Sequence, residues 1–257
     1  MPPVPKAKKV RLDLLLVASG LVESREKAQR LVLAGEVLVN DAPATKPGHL
    51  VPSDAALRIR HPEPFVSRGG LKLQEAFDRF GFRVDGARCI DVGASTGGFT
   101  DCLLQHGAES VVAVDVGRSL LHPRIAADPR VTVLDSTNAR YLAPDALPPG
   151  PLPTVAVTDV SFISLKLILP AIDRILQPGG QIVALVKPQF EAGRAEVGKG
   201  GVVRDPAVRR RILDAILAFA SADLGWTVLG SCPSPIKGPA GNVEYLAWFQ
   251  KKETPSP

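Results

Sequence analysis

The sequence predicts an α/β protein, a seven-stranded, mostly parallel sheet with helices on both faces, preceded by a small α+β unit. Three observations predict it. From Ser67 onward, short Val/Ile/Ala-rich runs alternate with helical stretches. A glycine-rich turn, Gly93-Ala94-Ser95-Thr96-Gly97-Gly98, joins one such run to one such stretch. Before Ser67 the pattern is different, and the segment 58–66 has two prolines and no periodicity, as a linker would.

The apolar runs place strands at 88–92, 110–115, 131–134, 154–159, 181–187, 226–231 and 244–250. Several are continuous, which suits strands buried on both faces. Helices fall between them at 71–80, 98–106, 165–175 and 206–222. The last has Asp205 as its N-cap and Pro206 at its first position, where the missing N–H costs nothing. The segment 144–153 reads as a proline-rich surface loop, and 193–201 as a glycine-rich, charged, mobile loop near the site.

The first unit is shorter. Leu12, Leu14, Leu15, Leu16 and Leu21 predict a helix ending at Gly20. Ser24 caps a second helix over 25–34, closed by Gly35. Ala28, Leu31 and Val32 share one side of it, with Arg25, Lys27 and Arg30 nearer the other. The stretch 36–41 then reads as a short strand running into a turn. Roughly fifty residues hold too little core to stand alone, so this is an appended module. The expected organisation is a unit over 1–60 with a basic arm at 1–9, a linker at 61–66, a larger domain over 67–250 and a tail at 251–257.

Charge is unevenly placed. The chain carries a net +5, yet residues 1–60 hold ten Lys/Arg against six Asp/Glu, so most of the excess is there. That asymmetry points to a polyanion such as nucleic acid, and Arg11, Arg25, Lys27 and Arg30 are the candidate phosphate contacts. Cys89, Cys102 and Cys232 are widely spaced and form no CxxC pair. They argue against a disulfide framework or a zinc site, and read as buried apolar residues in a reducing compartment. The basic N-terminus has an apolar run broken by Arg11 and Asp13, so neither a signal peptide nor a membrane span is expected. These features describe a cytoplasmic protein with no metal and no membrane partner.

The stretch from Cys89 to Thr100 carries the cofactor signal. A strand ends at Asp91, and a helix begins at Gly98 with Phe99 after it. Gly93, Gly97 and Gly98 permit close backbone approach to a ligand, with Ser95 between them. The turn has Ser95 where a dinucleotide fingerprint has glycine at its third position, and an acidic residue before the first glycine suits a cation. S-adenosylmethionine, with a sulfonium, an ammonium and no phosphate, fits better. Asp115 closes the second strand, where a carboxylate can hold ribose hydroxyls. Asp135 follows the third strand, positioned toward an adenine edge, with Asn138 nearby.

Four further residues stand at strand or helix ends: Lys72 in S-R-G-G-L-K-L, Asp159 in V-T-D-V-S-F, Lys187 in V-K-P-Q-F-E and Glu244 in G-N-V-E-Y-L. In a parallel sheet the carboxyl ends of strands line the ligand crevice, which places Asp159 and Lys187 beside Asp91. Taken with D-V-G-A-S-T-G-G-F-T, these motifs resemble the TlyA family within the FtsJ-like RNA 2′-O-methyltransferases. The N-terminal motifs R-L-D-L-L-L, S-R-E-K-A and G-E-V-L-V-N resemble the small RNA-binding fold of the fourth small-subunit ribosomal protein, the S-four domain. The resemblance covers nearly the whole chain, in the family's order.

It implies a class I, Rossmann-like methyltransferase that uses S-adenosylmethionine on a ribose, that of cytidine, in ribosomal RNA or ribosomal subunits. It also implies a Lys-Asp-Lys-Glu tetrad at Lys72, Asp159, Lys187 and Glu244. Lys187 would orient and help deprotonate the hydroxyl, Asp159 would orient Lys187, and Glu244 would hold Lys72. Lysine acts as a base only where burial or a neighbouring cation favours its neutral form, and Lys72 is the candidate neighbour. The linker here, Glu63-Pro64-Phe65-Val66, departs from the family's tetrapeptide. Three other readings follow from the same features: an RNA-binding assembly factor with a vestigial methyltransferase fold, a membrane-active protein as the family's older haemolysin label suggests, and a methyltransferase for small molecules or DNA bases. The last lacks the N-P-P-Y motif that exocyclic amine methylation uses.

Overall fold

The computed structural model describes residues 7–253, so residues 1–6 of the expected basic arm and 254–257 of the tail lie outside the described residues. The chain divides after Glu63 into two units. In the first, β1 (Lys9–Arg11) leads directly into α1 (Leu12–Ala18), followed by α2 (Arg25–Leu33). Ser24 accepts the Lys27 N–H at 3.2 Å and satisfies a donor that the first turn leaves free. Strands β2 (Val37–Val39), β3 (Ala42–Ala44), β4 (Leu50–Pro52) and β5 (Leu57–Ile59) complete the unit. β2 lies at the centre of an antiparallel sheet of order β3-β2-β5, and β1 pairs with β4. Asn40 and Asp41, both at positive φ, form the two-residue turn between β2 and β3. Leu12, Leu16, Ala28, Val32 and Val37 are fully buried and make the core.

The linker expected at 58–66 is shorter than the sequence suggests. Arg58 and Ile59 belong to β5, with Leu57 and Ile59 packed on the core of the first unit. Three residues are too few to show a strand's period, so prolines nearby dominated the reading. At the other end Phe65 is buried, its ring filling the space beside Gly70, where a Cβ would stand 2.3 Å from Phe65 Cγ. The Val66 N–H donates to Asp101 Oδ2 at 2.8 Å. Phe65 and Val66 are therefore part of the second unit's packing.

That second unit runs α3 (Gly69–Phe80), β6 (Arg88–Val92), α4 (Gly98–Gln105), β7 (Ser110–Val114), α5 (Pro123–Ala126) and β8 (Val131–Leu134). It continues β9 (Val155–Thr158), α6 (Leu165–Ile175), β10 (Gln181–Val186), α7 (Pro188–Glu191), α8 (Pro206–Ala222), β11 (Thr227–Pro233) and β12 (Tyr245–Gln250). The sheet order is β11-β12-β10-β9-β6-β7-β8, with β12 antiparallel to both neighbours and the rest parallel. The chain winds outward from β6 in one direction and from β9 in the other. Between them the order reverses, which opens a crevice at the carboxyl ends of those strands.

Both faces of the sheet are covered. Ile90, Val92, Val114, Ile182, Ala184 and Val186 face α6 and α8 in one core. Cys89, Val111, Val157, Val183 and Leu185 face α3 and α4 in the other. Alternating residues of one strand thus enter different cores, which is why these strands read as unbroken apolar runs. Cys89 and Cys102 are buried as expected, whereas Cys232 is partly exposed because it lies on β11, the sheet's edge.

The amino ends of α3 and α4 meet with no room for a side chain. A Cβ on Gly98 would lie 2.3 Å from Ser67 Oγ and 2.8 Å from the Gly70 nitrogen. Gly98→Ala is expected to destabilise the protein by about 1–3 kcal/mol through overpacking. A lower urea midpoint with an unchanged m-value is the measurement that checks it.

Candidate active site

Four charged side chains from four segments form one line at the crevice. Glu244, which precedes β12 and is 1% exposed, accepts from Lys72 Nζ of α3 at 2.6 Å. Lys72 Nζ also lies 3.7 Å from Asp159 Oδ2, at the end of β9. The other carboxylate oxygen, Asp159 Oδ1, is 2.5 Å from Lys187 Nζ at the end of β10. The signs alternate along the line, so each buried charge is neutralised by its neighbour. Lys187 directs its remaining donors to Ser161 Oγ at 2.8 Å and to the Asp159 carbonyl at 3.3 Å. The carbonyl contact is the longest of the three.

Two cavities meet here. The larger, about 440 Å³, is lined by Asp115, Val116, Leu120, Asn138, Phe162 and Ile168 among others. The smaller, about 230 Å³, is lined by Ser67, Arg68, Lys72, Thr96, Phe99 and Lys237 among others. Gly93, Ser95 and Asp159 line both. Gly93 has φ +85, and a Cβ there would lie 3.1 Å from Val160, so only glycine lets the turn pass this close to the β9 loop. Asp115 is fixed by the N–H groups of Ser95 and Gly117, each at 2.8 Å. It keeps free lone pairs at the wall of the larger, more apolar cavity.

This layout fits an adenosyl group in the larger cavity and an amino-acid tail in the smaller, with the junction between them. Asp91 supports the fit. It is fully buried and accepts the Thr100 hydroxyl at 2.7 Å on Oδ2, while Oδ1 has no hydrogen-bond partner. Burial pushes its carboxyl up to about 7, opposed by the Thr100 hydrogen bond and reinforced by Asp159 and Asp115. An unmet acidic acceptor beneath the glycine turn suits a cationic ligand.

Of the residues singled out in the sequence, Lys72, Gly93, Ser95, Gly98, Phe99, Asp115, Asn138 and Asp159 line one or both cavities. Gly97 does not; it caps α4 at φ +90 and packs against Leu121. Nor does Asp135, which accepts the Ser119 N–H at 2.8 Å. The loop 193–201, expected beside the site, lines neither cavity. Asn242 holds its end, accepting the Val203 N–H at 3.0 Å and donating to the Gly201 carbonyl at 2.8 Å.

Three residues escaped the sequence reading. Ser161 accepts from Lys187, although only Asp159 was taken from the same motif. Phe162 is 91% exposed at the cavity rim, held at φ +62 with its ring 5.0 Å from Phe190. Glu191 accepts the Ser164 hydroxyl at 2.6 Å and the Leu165 N–H at 2.7 Å, tying α7 to the loop that carries Asp159, Ser161 and Phe162.

Among the four N-terminal cations, Arg11 and Arg25 pair with Asp13, and Lys27 with Glu23 and Glu63. Arg30 makes no ion pair among the described residues. No group of described residues could hold a metal ion, and none of the described helices is long and apolar enough to cross a membrane.

Fold and paired cavities define an FtsJ-like methyltransferase, and that family matches residues 65–251, with an S4 domain matched over 10–56. The TlyA protein of Mycobacterium tuberculosis, named a 16S/23S rRNA (cytidine-2′-O)-methyltransferase, is 46% identical over 95% of this chain and 91% of its own length. Hemolysin A of Brachyspira hyodysenteriae is 42% identical over 93% of this chain and 99% of its own. A solved structure of a hemolysin-named protein from Streptococcus thermophilus superposes with a TM-score of 0.74 at 46% identity, covering 96% of this chain and 90% of that one. The chain belongs to the TlyA family of FtsJ-like methyltransferases.

The raised acid has a consequence for stability. The folded protein retains a proton on Asp91 that an unfolded carboxyl releases near 3.8. This group's contribution is therefore complete below that pH and is lost as pH rises through about 7. Asp91→Asn is expected to remove that decline, so the variant's denaturant midpoint falls less than the wild type's between pH 4 and pH 7.5 in the absence of ligand.

Proposed function

We propose that this chain transfers a methyl group from S-adenosylmethionine to the ribose 2′-hydroxyl of structured RNA, with cytidine of ribosomal RNA as the acceptor. The observation that carries the reading is the alternating line Glu244–Lys72–Asp159–Lys187, whose Asp159 lines both cavities and Lys72 one of them. The TlyA relative's name identifies its own acceptor as cytidine in ribosomal RNA, and similarity over almost the whole chain extends that chemistry here. The S4 match and the basic first unit support folded RNA, which proteins read through shape, phosphates and 2′-hydroxyls. The exposed Phe162 ring offers a stacking face for an unstacked base. The work belongs to the cytoplasm, where ribosomes are available.

S-adenosylmethionine, when bound, supplies a methyl group on a sulfonium whose departure leaves a neutral thioether. Asp115 and Asn138 would hold its nucleoside end, and the Gly93–Phe99 turn its amino-acid end. The protein's task is alignment and proton removal. A ribose hydroxyl is a weak nucleophile, and its proton must leave as the oxygen–carbon bond forms. Lys187 meets the hydroxyl, and the proton passes to the Lys187–Asp159 pair as the oxygen–carbon bond forms. Lys72 steadies Asp159 from the opposite side, and Glu244 holds Lys72. Because the leaving group is already good, holding oxygen, methyl and sulfur in line carries much of the rate.

Lys187→Ala is expected to lower methyl transfer by at least about a thousandfold, within the range of positioned acid–base groups, while cofactor affinity is retained. Separate small and large ribosomal subunits incubated with protein and cofactor, then mapped by mass spectrometry for 2′-O-methylation, provide the readout. Full turnover by the variant would sink the assignment of Lys187. Cofactor binding by wild type with no methylated nucleotide in either subunit would favour an assembly factor instead.

A further inference from the structure

We propose that Asp13 is a positioning residue for RNA, holding the Arg11 and Arg25 guanidinium groups as a preformed two-armed clamp for phosphates of the RNA backbone. The proposal rests on the RNA-binding reading of the first unit. Asp13, in the first turn of α1, is 0% exposed. A carboxylate can be buried like this only if its lone pairs are met. Arg11 meets them with two parallel bonds, Nε to Oδ1 at 3.0 Å and Nη2 to Oδ2 at 2.8 Å. Arg25 Nε and Gln29 Nε2 each reach Oδ2 at 3.0 Å. Hydrogen bonds from Arg11 first, then Gln29 and Arg25, hold the Asp13 carboxyl well below the usual carboxylate range, against its burial.

A tether between β1 and α2 would need only one arginine, turned inward. Here both remain open to solvent, with side chains 41% and 51% exposed. Arg25 is held through Nε alone, which leaves both of its Nη groups to donate elsewhere. Arg11 keeps Nη1 uncommitted and lies flat against Gly48, where a Cβ would stand 3.1 Å from Nη1. The trio carries one net positive charge, and its donors form two rigid planar forks fixed at one point. An arginine already immobilised in the fold loses less freedom when it grips a phosphate than one drawn from solution. Lys27 has no such freedom, being engaged by Glu23 and Glu63.

Positioning and plain electrostatics predict opposite signs. Asp13→Asn makes the protein more positive, so long-range attraction alone would tighten RNA binding. The clamp predicts affinity weaker by about tenfold, with a log–log salt slope shallower by about one to two units as ordered phosphate contacts are lost. The full-length protein is titrated with isolated ribosomal subunits over a range of salt. Arg11→Ala/Arg25→Ala is measured alongside, and adding Asp13→Asn to that pair should change nothing further. If the alanine pair binds like wild type, these arginines do not read RNA and the clamp falls with them. If the alanine pair weakens binding but Asp13→Asn binds as well as wild type or better, the clamp is overturned while RNA recognition stands. Should Asp13→Asn fail to fold, Arg11→Lys/Arg25→Lys decides, because it keeps the charge but not the forks. A loss comparable to the alanine pair supports the clamp, and wild-type affinity rejects it.

Discussion

Two lysines and two acids share a small, mostly dry volume at the mouth of the sheet, and none of the four could remain there alone. Burying one unpaired charge costs several kcal/mol even after relaxation. The alternation Glu244–Lys72–Asp159–Lys187 removes that cost only while α3, the ends of β9 and β10, and the lead-in to β12 stay in register. The contacts we propose to align a hydroxyl for attack therefore also hold these segments together. Gly238 shows how tightly the line is enclosed, since a Cβ there would lie 2.5 Å from Glu244 Oε1.

Around this line the backbone does much of the shaping. The turn after β6 presses against the β9 loop at Gly93, and α4 against α3 at Gly98. The β9 loop is in turn anchored by Glu191, which accepts from the first N–H of α6, and by Ser161, which accepts a hydrogen bond from Lys187. Phe162 is left outside this web, its strained backbone aiming an aromatic ring at solvent. An exposed ring held by an ordered loop is costly to maintain without a use, and the cavity rim is where a nucleotide would meet it.

Much of this was legible from residue patterns. The central strands β6, β7, β9 and β10 appear as apolar runs, because burial on both faces removes polar residues from them. Lys72, Asp159, Lys187 and Glu244 could be found because strand ends in such a sheet line the crevice and because their motifs keep a family's order. The short strands of the first unit were largely missed, since three residues do not establish a period. Ser161 was overlooked because a serine's value depends on a neighbour 26 residues away in sequence. Arg11, Arg25, Lys27 and Arg30 look equivalent as letters. Their different partners appear only once the fold brings Asp13, Glu23 and Glu63 beside them.

β12 lies between β10 and β11, so seating it beside β10 also brings β11 into the sheet. Lys72 waits for Glu244, its partner 172 residues later. Long-range closure of this kind comes late in folding, after local contacts have formed. Without Glu244, Lys72 keeps only the longer pairing with Asp159, at 3.7 Å. The strand that joins the sheet's edge to its centre is thus also the one that brings the last charge to the crevice.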